Sequence, residues 1–505
     1  MKRRLIPLML MLGACSPDKD ASTSPAAPAN LLQQAAARLD AALTHDYELL
    51  QRRDAPPLPP RADDATFLRR ACIDLAGRLP RADEARSFLA DTAPDKRARL
   101  TDALTQEPGA AEVRYLMLAE AFRVQYDTKV IAWLRQAAAE DKPYADIVTH
   151  MIGGGKMALR DDGDALRTSV ETAYSVLGED VYCAMCHDHP FNDHTEMECY
   201  SFAACFTGRK PLHLPSDYLY ANGKPGDVVQ PALLRVGLGN PSYLRDDQDS
   251  LVQVTRWMLE DETSRRYAMV ASLRVWNGLF GMPGQIVNRT IGGMDDAPPW
   301  HGVHRKPRLN LSSDCFSASP RGSPTWVDMT FNSPSDFTQA PKLLIEEFLR
   351  CGGRIGEFQR ILARTEAYSR AGHAPGKTWD GCYLVASPQI RRLPAEVIWT
   401  VCSGEQAAQL PEVPPFGHPL RMLGRGTREW TDESQAPISH DLARFMIKHA
   451  ANSDTAPALS TDDLFLTLLG RQPEESERAA ISRHAASHHD VTWALLNTAE
   501  FMFRP

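Results

Sequence analysis

Apolar residues recur every three or four positions over much of the first 150 residues, with polar residues between them. This spacing is typical of amphipathic helices. It predicts helices over residues 30–52, 66–80, 111–138 and 143–152. Gly77 and Pro80 should end the second of these. Two further helices between 81 and 106 are separated at Pro94, because proline cannot continue a helix.

The pattern changes twice after residue 206. Residues 207–250 are rich in Pro, Gly and Asp and contain alternating runs such as LLRVGL, which indicates loops or short strands. Residues 285–340 show no helical period, and an irregular segment of this length is usually functional or a surface insertion. Helical spacing is found over 196–206, 251–280, 341–351, 355–369, 394–403, 437–451, 461–469, 474–487 and 490–502.

These elements predict a mainly α protein with two helical lobes joined by a long irregular segment with few short strands. We expect an N-terminal helical domain at 31–212, connecting loops at 213–250 and a C-terminal helical domain at 251–505 with the irregular insertion 285–340. A hydrophobic fraction of 43% is enough to form packed cores. The net charge of −8, with scattered Lys and Arg, argues against a nucleic-acid partner, which would require a basic face.

The first residues resemble the export signal of a bacterial lipoprotein. A basic start, Lys2–Arg4, precedes the short apolar run Leu5–Leu12 and then LGAC, which ends at Cys15. In lipoproteins the signal is removed before this cysteine, which carries the lipid. We therefore expect residues 1–15 to be a signal peptide, the mature chain to begin at Cys15, and 16–30 to be a flexible tether.

A lipid on Cys15 would anchor the chain to the periplasmic face of a membrane of the cell envelope. Ser16 follows the cysteine, where Asp would indicate inner-membrane retention, so the outer membrane is favoured. An ordinary secretory signal with an incidental cysteine is the alternative. Nine cysteines remain beside Cys15, and because nine is odd, at least one thiol should lack a disulfide partner.

The stretch DVYCAMCHDHPFNDH, residues 180–194, carries the most specific chemistry. Cys183, Cys186 and His187 form C-x-x-C-H, the motif of covalent c-type haem attachment. Two thiols one turn apart reach the two vinyl groups of one porphyrin, and the adjacent histidine binds the iron. We expect haem c here, with His187 as the proximal iron ligand and with Met151, Met157 and His213 as candidate distal ligands.

Other chemistries remain open for the same stretch. A zinc or other metal site would use Cys183, Cys186 and His187 with one of His189, His194 or Cys199. In that case we expect His189 to bind the metal or to hydrogen-bond to one of its ligands, and His194 is an alternative metal ligand. A redox disulfide would need a βαβ context that the pattern lacks, and a structural disulfide is the simplest alternative.

Several segments together resemble the planctomycete-type cytochrome-c-associated secreted proteins (PSCyt/PSD type), which pair two domains of unknown function. The matching segments are FLRRACIDLAGRLPRADEARSFLADTAPDKRARL, KPYADIVTHMI, YCAMCHDHPFNDHTEMECYSFAACF, RVWNGLFG, KLLIEEFLRCGGRIGEFQRILARTEAYSR, RRLPAEV, LFLTLLGRQPEESE and TWALLNTAEFMF. The resemblance implies a C-x-x-C-H-D/N-H core at Cys183, Cys186, His187, Asp188 and His189.

The chain departs from this family pattern at two positions. Leu273 stands where the family has Asn before Arg-Val-Trp, and Asn192 stands where it has Asp. The family is often fused to a cytochrome c domain, whereas here we expect the tether 16–30 to lead directly into the first lobe. We therefore expect any redox partner to be another protein or a small molecule.

The leading hypothesis is a lipid-anchored envelope protein that binds c-type haem and acts in electron transfer or haem-dependent redox chemistry. The length of the chain exceeds what an electron carrier requires, which suggests a further surface for substrate or partner, but leaves open whether the protein is an enzyme. The alternative is a non-catalytic envelope scaffold in which the Cys/His cluster holds a structural zinc or a disulfide.

Overall fold

The structure is a computed structural model. It describes residues 29–51, 57–154, 164–179, 181–189, 194–208, 210–235, 244–245, 248–260, 264–281, 339–372, 387–404, 409–428, 445–446 and 459–504. The predicted signal peptide, the distal-ligand candidate Met157 and nearly all of the predicted insertion 285–340 lie outside these residues.

The N-terminal part is a succession of helices with short connections. They are α1 (Ala29–Gln51), α2 (Asp64–Ala76), α3 (Ala82–Ala90), α4 (Lys96–Thr105), α5 (Pro108–Ala121), α6 (Thr128–Ala139) and α7 (Tyr144–Val148). Helix α2 begins where the Asp63 carboxylate accepts from the Thr66 N–H at 2.7 Å. It ends at Gly77 in the left-handed conformation (φ 65°), as predicted.

The helix predicted over 111–138 is in fact two helices, α5 and α6. Phe122 ends α5, and the next residue, Arg123, has a positive φ of 53° that no helix allows. Helix α6 then begins at Asp127, whose carboxylate accepts from the N–H groups of Lys129 and Val130 at 2.9 and 3.1 Å. The apolar pattern continues across the break, because both helices present apolar residues to the same core.

The middle of the chain combines short helices of different pitch. A π-helical turn, Thr149–Gly153, extends α7, and another, Ala173–Leu177, extends α8 (Ala165–Thr172). A 3₁₀ turn at Cys183–Met185 precedes α9 (Glu196–Ala203), the 3₁₀ turn Ala204–Phe206, α10 (Ser250–Leu259) and α11 (Ser264–Phe280). Residues 210–235, which we call the excursion, leave α9 and fold back, with His213 and Val228 forming an isolated antiparallel bridge.

The C-terminal part is also helical. It contains α12 (Gln339–Arg350), α13 (Ile355–Ala363), α14 (Glu366–Ser369), α15 (Ala395–Ser403), α16 (Pro419–Met422), α17 (Thr461–Leu468), α18 (Glu475–Arg483), α19 (His488–Leu496) and α20 (Ala499–Met502). The strands β1 (Arg391–Arg392) and β2 (Phe503–Arg504) pair antiparallel. The predicted mainly α class is confirmed.

The described part of the chain contains three clusters of buried side chains. The largest unites residues from both predicted lobes, with Phe67 of α2, Trp276 of α11 and Phe348 of α12 all at 1% exposure or less. The second packs α15, α17 and α19 against Ile73 and Leu79 of the N-terminal part. The third, which includes Tyr200, Leu214 and Tyr218, joins the excursion to α9.

Among the described residues, no helix combines the length and the apolar character that a membrane crossing requires.

Candidate functional site

The C-x-x-C-H stretch forms a tight turn fixed to the largest core. The Ala184 N–H donates to the Val181 carbonyl at 3.0 Å, and the Cys186 N–H donates to the Cys183 carbonyl at 3.2 Å. Val181 and Ala184 are buried in the core at 1% and 0% exposure. Because these two apolar side chains point inward, the side chains of Cys183 and Cys186 are left exposed, and both are thiols.

His187 is exposed and has one ring nitrogen engaged. Its Nδ1 lies 2.8 Å from the carbonyl oxygen of Asp188 and donates to it. A hydrogen bond from one ring nitrogen to a backbone carbonyl is the usual support of a metal-binding histidine, because it fixes the tautomer and orients the ring. The Nε2 atom is then the one that can coordinate iron.

Asp188 ties this turn to its surroundings. Its N–H donates to the hydroxyl oxygen of Tyr220 in the excursion at 2.7 Å. Its carboxylate accepts from the Glu196 N–H at the start of α9 at 2.9 Å. The next N–H, that of His189, donates to the His194 carbonyl at 2.8 Å. The peptides on both sides of Asp188 are therefore held.

His194 lies behind the turn in a buried charge network. At 7% exposure it places Nε2 3.4 Å from Glu179 and Nδ1 3.3 Å from Glu198. Burial opposes the charged imidazolium, but the two carboxylates outweigh it and raise the pKa of His194 to about 9. Arg266 pairs with Glu179, and Arg235 lies 3.5 Å from Glu198.

The candidate ligands of the zinc alternative behind the turn are engaged or buried. Both nitrogens of His194 face carboxylates, so metal binding there would require one of these contacts to break. Cys199 is buried at 1% exposure, and this burial raises the pKa of its thiol, which disfavours the thiolate that zinc requires. Over the described residues, no group of three or more His, Cys, Asp or Glu side chains is arranged to hold a metal ion.

Two residues beside the motif were not among the predicted site residues. Glu196 is buried at 3% exposure, and its burial, with the negative charges of Asp217 and Asp188, raises its pKa. The sequence indicates that Glu196 follows Thr195, the residue that caps α9, but it does not indicate that Glu196 is buried. Tyr220 carried no sequence signal, because it lies 32 residues from Asp188 along the chain.

The two candidate distal ligands that the structure describes, Met151 and His213, differ in burial. Met151 is fully buried in the largest core, whereas His213 is exposed and bonds through Nδ1 to the Gly226 carbonyl at 2.9 Å. Trp276 of α11 is buried at 1% exposure. Arg391 of β1 donates to the carbonyls of Asn277 and Leu279 at 2.7 and 2.8 Å.

Glu396 pairs with Arg425. Cys15 and Asn192 lie outside the described residues.

Residues 48–170 match the family PSCyt2, described as a protein of unknown function (DUF1549). The resemblance to the planctomycete cytochrome-c-associated proteins is confirmed for this segment. The matched segment ends before Cys183. No curated protein and no solved structure matched the chain.

Proposed function

We propose that this chain, which contains a PSCyt2 segment at 48–170, binds one haem covalently through Cys183 and Cys186, with His187 as an axial ligand. It would act in the cell envelope in electron transfer or in haem-dependent redox chemistry. A partner protein or a small molecule would supply or accept the electron.

The geometry of the motif turn carries this proposal. Two exposed thiols and an exposed imidazole follow one another on a single turn. The imidazole Nδ1 is engaged by a backbone carbonyl, which leaves Nε2 for iron. The thiols are accessible because Val181 and Ala184 anchor the turn to the core from the other side.

Attachment requires no net oxidant. Each thiol would add its sulfur to one carbon of a vinyl double bond and its hydrogen to the other carbon. When bound, the haem would supply one-electron redox chemistry, which His187 and the hydrogen bond of its ring would tune. The chain itself would hold the two sulfurs on one turn and keep the His187 ring in one orientation.

The location in the cell envelope rests on the N-terminal sequence. The basic start, the apolar run and LGAC support lipidation of Cys15, and the outer membrane is favoured by Ser16. Anchoring on the periplasmic face would also place the motif in the compartment where c-type haem is attached.

The test is expression of the full chain, with its own signal, in a host that matures c-type cytochromes. We expect the mature protein to gain the mass of one haem and to show a visible α-band on reduction. The double variant Cys183→Ser/Cys186→Ser should lose both. As a matched control, Cys205→Ser should retain them, because Cys205 is a buried thiol near α9 whose bonds to the Ser201 and Ala232 carbonyls a serine hydroxyl can replace.

A colourless wild-type protein would overturn the haem proposal. If it then contained zinc, or a disulfide between Cys183 and Cys186, the alternative of a non-catalytic envelope scaffold would take its place. Labelling with radioactive palmitate, compared between wild type and Cys15→Ala, tests the anchor independently. An unlabelled wild type would overturn lipidation alone.

A further inference from the structure

We infer that Tyr220 is a positioning residue for His187, acting through the backbone of Asp188. This inference rests on the proposed haem attachment and specifies how the chain sets the orientation of the iron ligand. The Tyr220 hydroxyl bonds to the backbone N–H of Asp188. It holds the peptide that joins His187 to Asp188.

Three hydrogen bonds fix the backbone on either side of Asp188 and the His187 ring. The Tyr220 hydroxyl oxygen accepts the Asp188 N–H at 2.7 Å, which fixes the plane of the 187–188 peptide. The following peptide is fixed by the His189 N–H, which donates to the His194 carbonyl at 2.8 Å. The carbonyl of that second peptide accepts from His187 Nδ1 at 2.8 Å. The Asp188 carbonyl, which accepts from the His187 ring, is therefore positioned by hydrogen bonds on both sides.

The excursion is built to place Tyr220 at this point. Its two arms are joined by the Leu214 N–H, which donates to the Asp227 carbonyl at 2.9 Å, and by the Val229 N–H, which donates to the Leu212 carbonyl at 2.8 Å. Leu214 is buried against α9 at 3% exposure.

The tip of the excursion is packed closely against α9. A Cβ added at Gly223 would lie 2.6 Å from Cδ1 of Leu214 and 2.8 Å from Cε of Met197, so any larger residue there would displace these two side chains. The Tyr220 ring packs edge-on against Tyr218, with ring centroids 5.6 Å apart. Tyr220 is thus carried by a packed element rather than by a free loop.

A carbonyl that accepts from Nδ1–H makes the imidazole a stronger electron donor to a bound metal. Loss of the Tyr220 hydroxyl would free the 187–188 peptide and weaken this bond. The ferric state would then be less well stabilised, so the reduction potential should become more positive. The thioether bonds depend on the thiols and should be unaffected.

The experiment compares Tyr220→Phe with Tyr218→Phe in the full chain. Tyr218 is the matched control, because its hydroxyl bonds to Asn222 within the excursion and not to the motif turn. We expect both variants to carry one haem. Tyr220→Phe should shift the reduction potential to more positive values, and Tyr218→Phe should retain the wild-type potential.

A second readout does not depend on haem. In the Cys183→Ser/Cys186→Ser background, hydrogen exchange of the Asp188 amide should be faster by about tenfold with Tyr220→Phe, the factor expected when one hydrogen bond is lost. Tyr218→Phe should leave that amide unchanged.

The outcomes separate the two proposals. A wild type without haem would overturn the proposed function and with it this inference. A haem protein in which Tyr220→Phe changes neither the potential nor the Asp188 exchange would overturn the inference alone. An equal shift in both tyrosine variants would also overturn it, because the effect would then come from the excursion as a whole.

Discussion

Buried charged side chains surround the candidate site. His194, Glu179 and Glu198 are each at 7% exposure or less, and Arg266 and Arg235 lie against the two carboxylates. A buried charge is tolerated only when opposite charges and hydrogen bonds replace its hydration. The His194 carbonyl also accepts from the His189 N–H, so the position of the buried network helps to fix the motif turn.

The first prediction concerns His194. His194→Gln should lower the free energy of unfolding by roughly 3 kcal/mol, because it leaves two buried carboxylates without the cation between them. Urea unfolding followed by circular dichroism measures this change. His484→Gln, at an exposed histidine, is the control and should change stability by less than about 0.5 kcal/mol. Equal unfolding midpoints for the His194 variant and wild type would contradict the prediction.

The second prediction concerns pH and Asp102, which accepts from Arg360 at 2.8 Å and from Arg364 at 2.6 Å. Burial opposes its charge, but the two arginines outweigh this and lower the pKa of Asp102 below its usual range. A carboxyl with a lowered folded-state pKa stabilises the protein above its unfolded pKa and loses that contribution as pH falls through the folded value.

Asp102→Asn should therefore cost about 2 kcal/mol at pH 7. The difference from wild type should shrink below about pH 4, where Asp102 becomes protonated in the unfolded chain. Unfolding at a series of pH values checks this. Asp95→Asn, in an exposed pair with Arg99, should show little difference at any pH. A difference that grows as pH falls would contradict the assigned sign.

At the scale of helices, several helix ends have their unpaired backbone groups hydrogen-bonded by side chains from distant parts of the chain. The carboxylates of Asp40, Asp46 and Asp141 accept from the first N–H groups of α14, α12 and α13, respectively. Arg70 donates to the carbonyls of Tyr368 and Arg370 at the end of α14, at 2.6 and 2.8 Å. Such contacts satisfy the unpaired groups of helix ends and match the helix dipole.

The third prediction tests one such remote cap. Asp46 of α1 accepts from the Ala340 N–H of α12 at 2.8 Å, across 294 residues of sequence. Asp46→Ala should lower stability by about 1 kcal/mol, although alanine favours helix α1 itself. Thermal unfolding measures the loss. Glu48→Ala, at an exposed position of the same helix, is the control and should be nearly neutral. A neutral Asp46 variant would show that the cap contributes nothing.

At the scale of the whole molecule, the N-terminal and C-terminal helices are packed together. Helices α1 and α12 contribute to the same core, and the C-terminal cluster closes on Ile73 and Leu79. Arg69 of α2, at 2% exposure, adds a polar link, because it donates to the carbonyl of Leu468 and, at 2.8 Å, to that of Phe501. Burial lowers the pKa of Arg69 to about 10, so it is still charged at neutral pH.

The fourth prediction concerns this link. Arg69→Met should preserve the apolar volume but leave buried carbonyls unpaired, which costs about 3 kcal/mol. Hydrogen exchange should increase first in α17 and α20, whose carbonyls Arg69 contacts. Arg61→Met is the control, since the Arg61 side chain is 56% exposed and its ion pair with Glu366 is long, at 3.8 Å. Unchanged exchange in both helices would contradict the role of Arg69.

Periodicity was a good guide to helices whose ends are marked locally. Gly77 ended α2 as predicted, and α9 begins at Glu196, directly after Thr195, whose hydroxyl accepts from the Glu198 N–H at 3.1 Å. It failed where two helices face the same core. The region 490–502 was predicted as one helix, but Thr498 caps the Phe501 N–H at 3.1 Å and starts a second one.

The sequence by itself determined the mainly α class and the C-x-x-C-H motif, because helical spacing and the motif are both local properties of the chain. Only the tertiary structure decided that the two thiols and His187 are exposed, that His194 is buried between carboxylates, and that Tyr220 holds the motif turn. The contacts of His194 with Glu179 and of Asp188 with Tyr220 join residues 15 and 32 positions apart. No local pattern records which distant groups meet once the cores have packed.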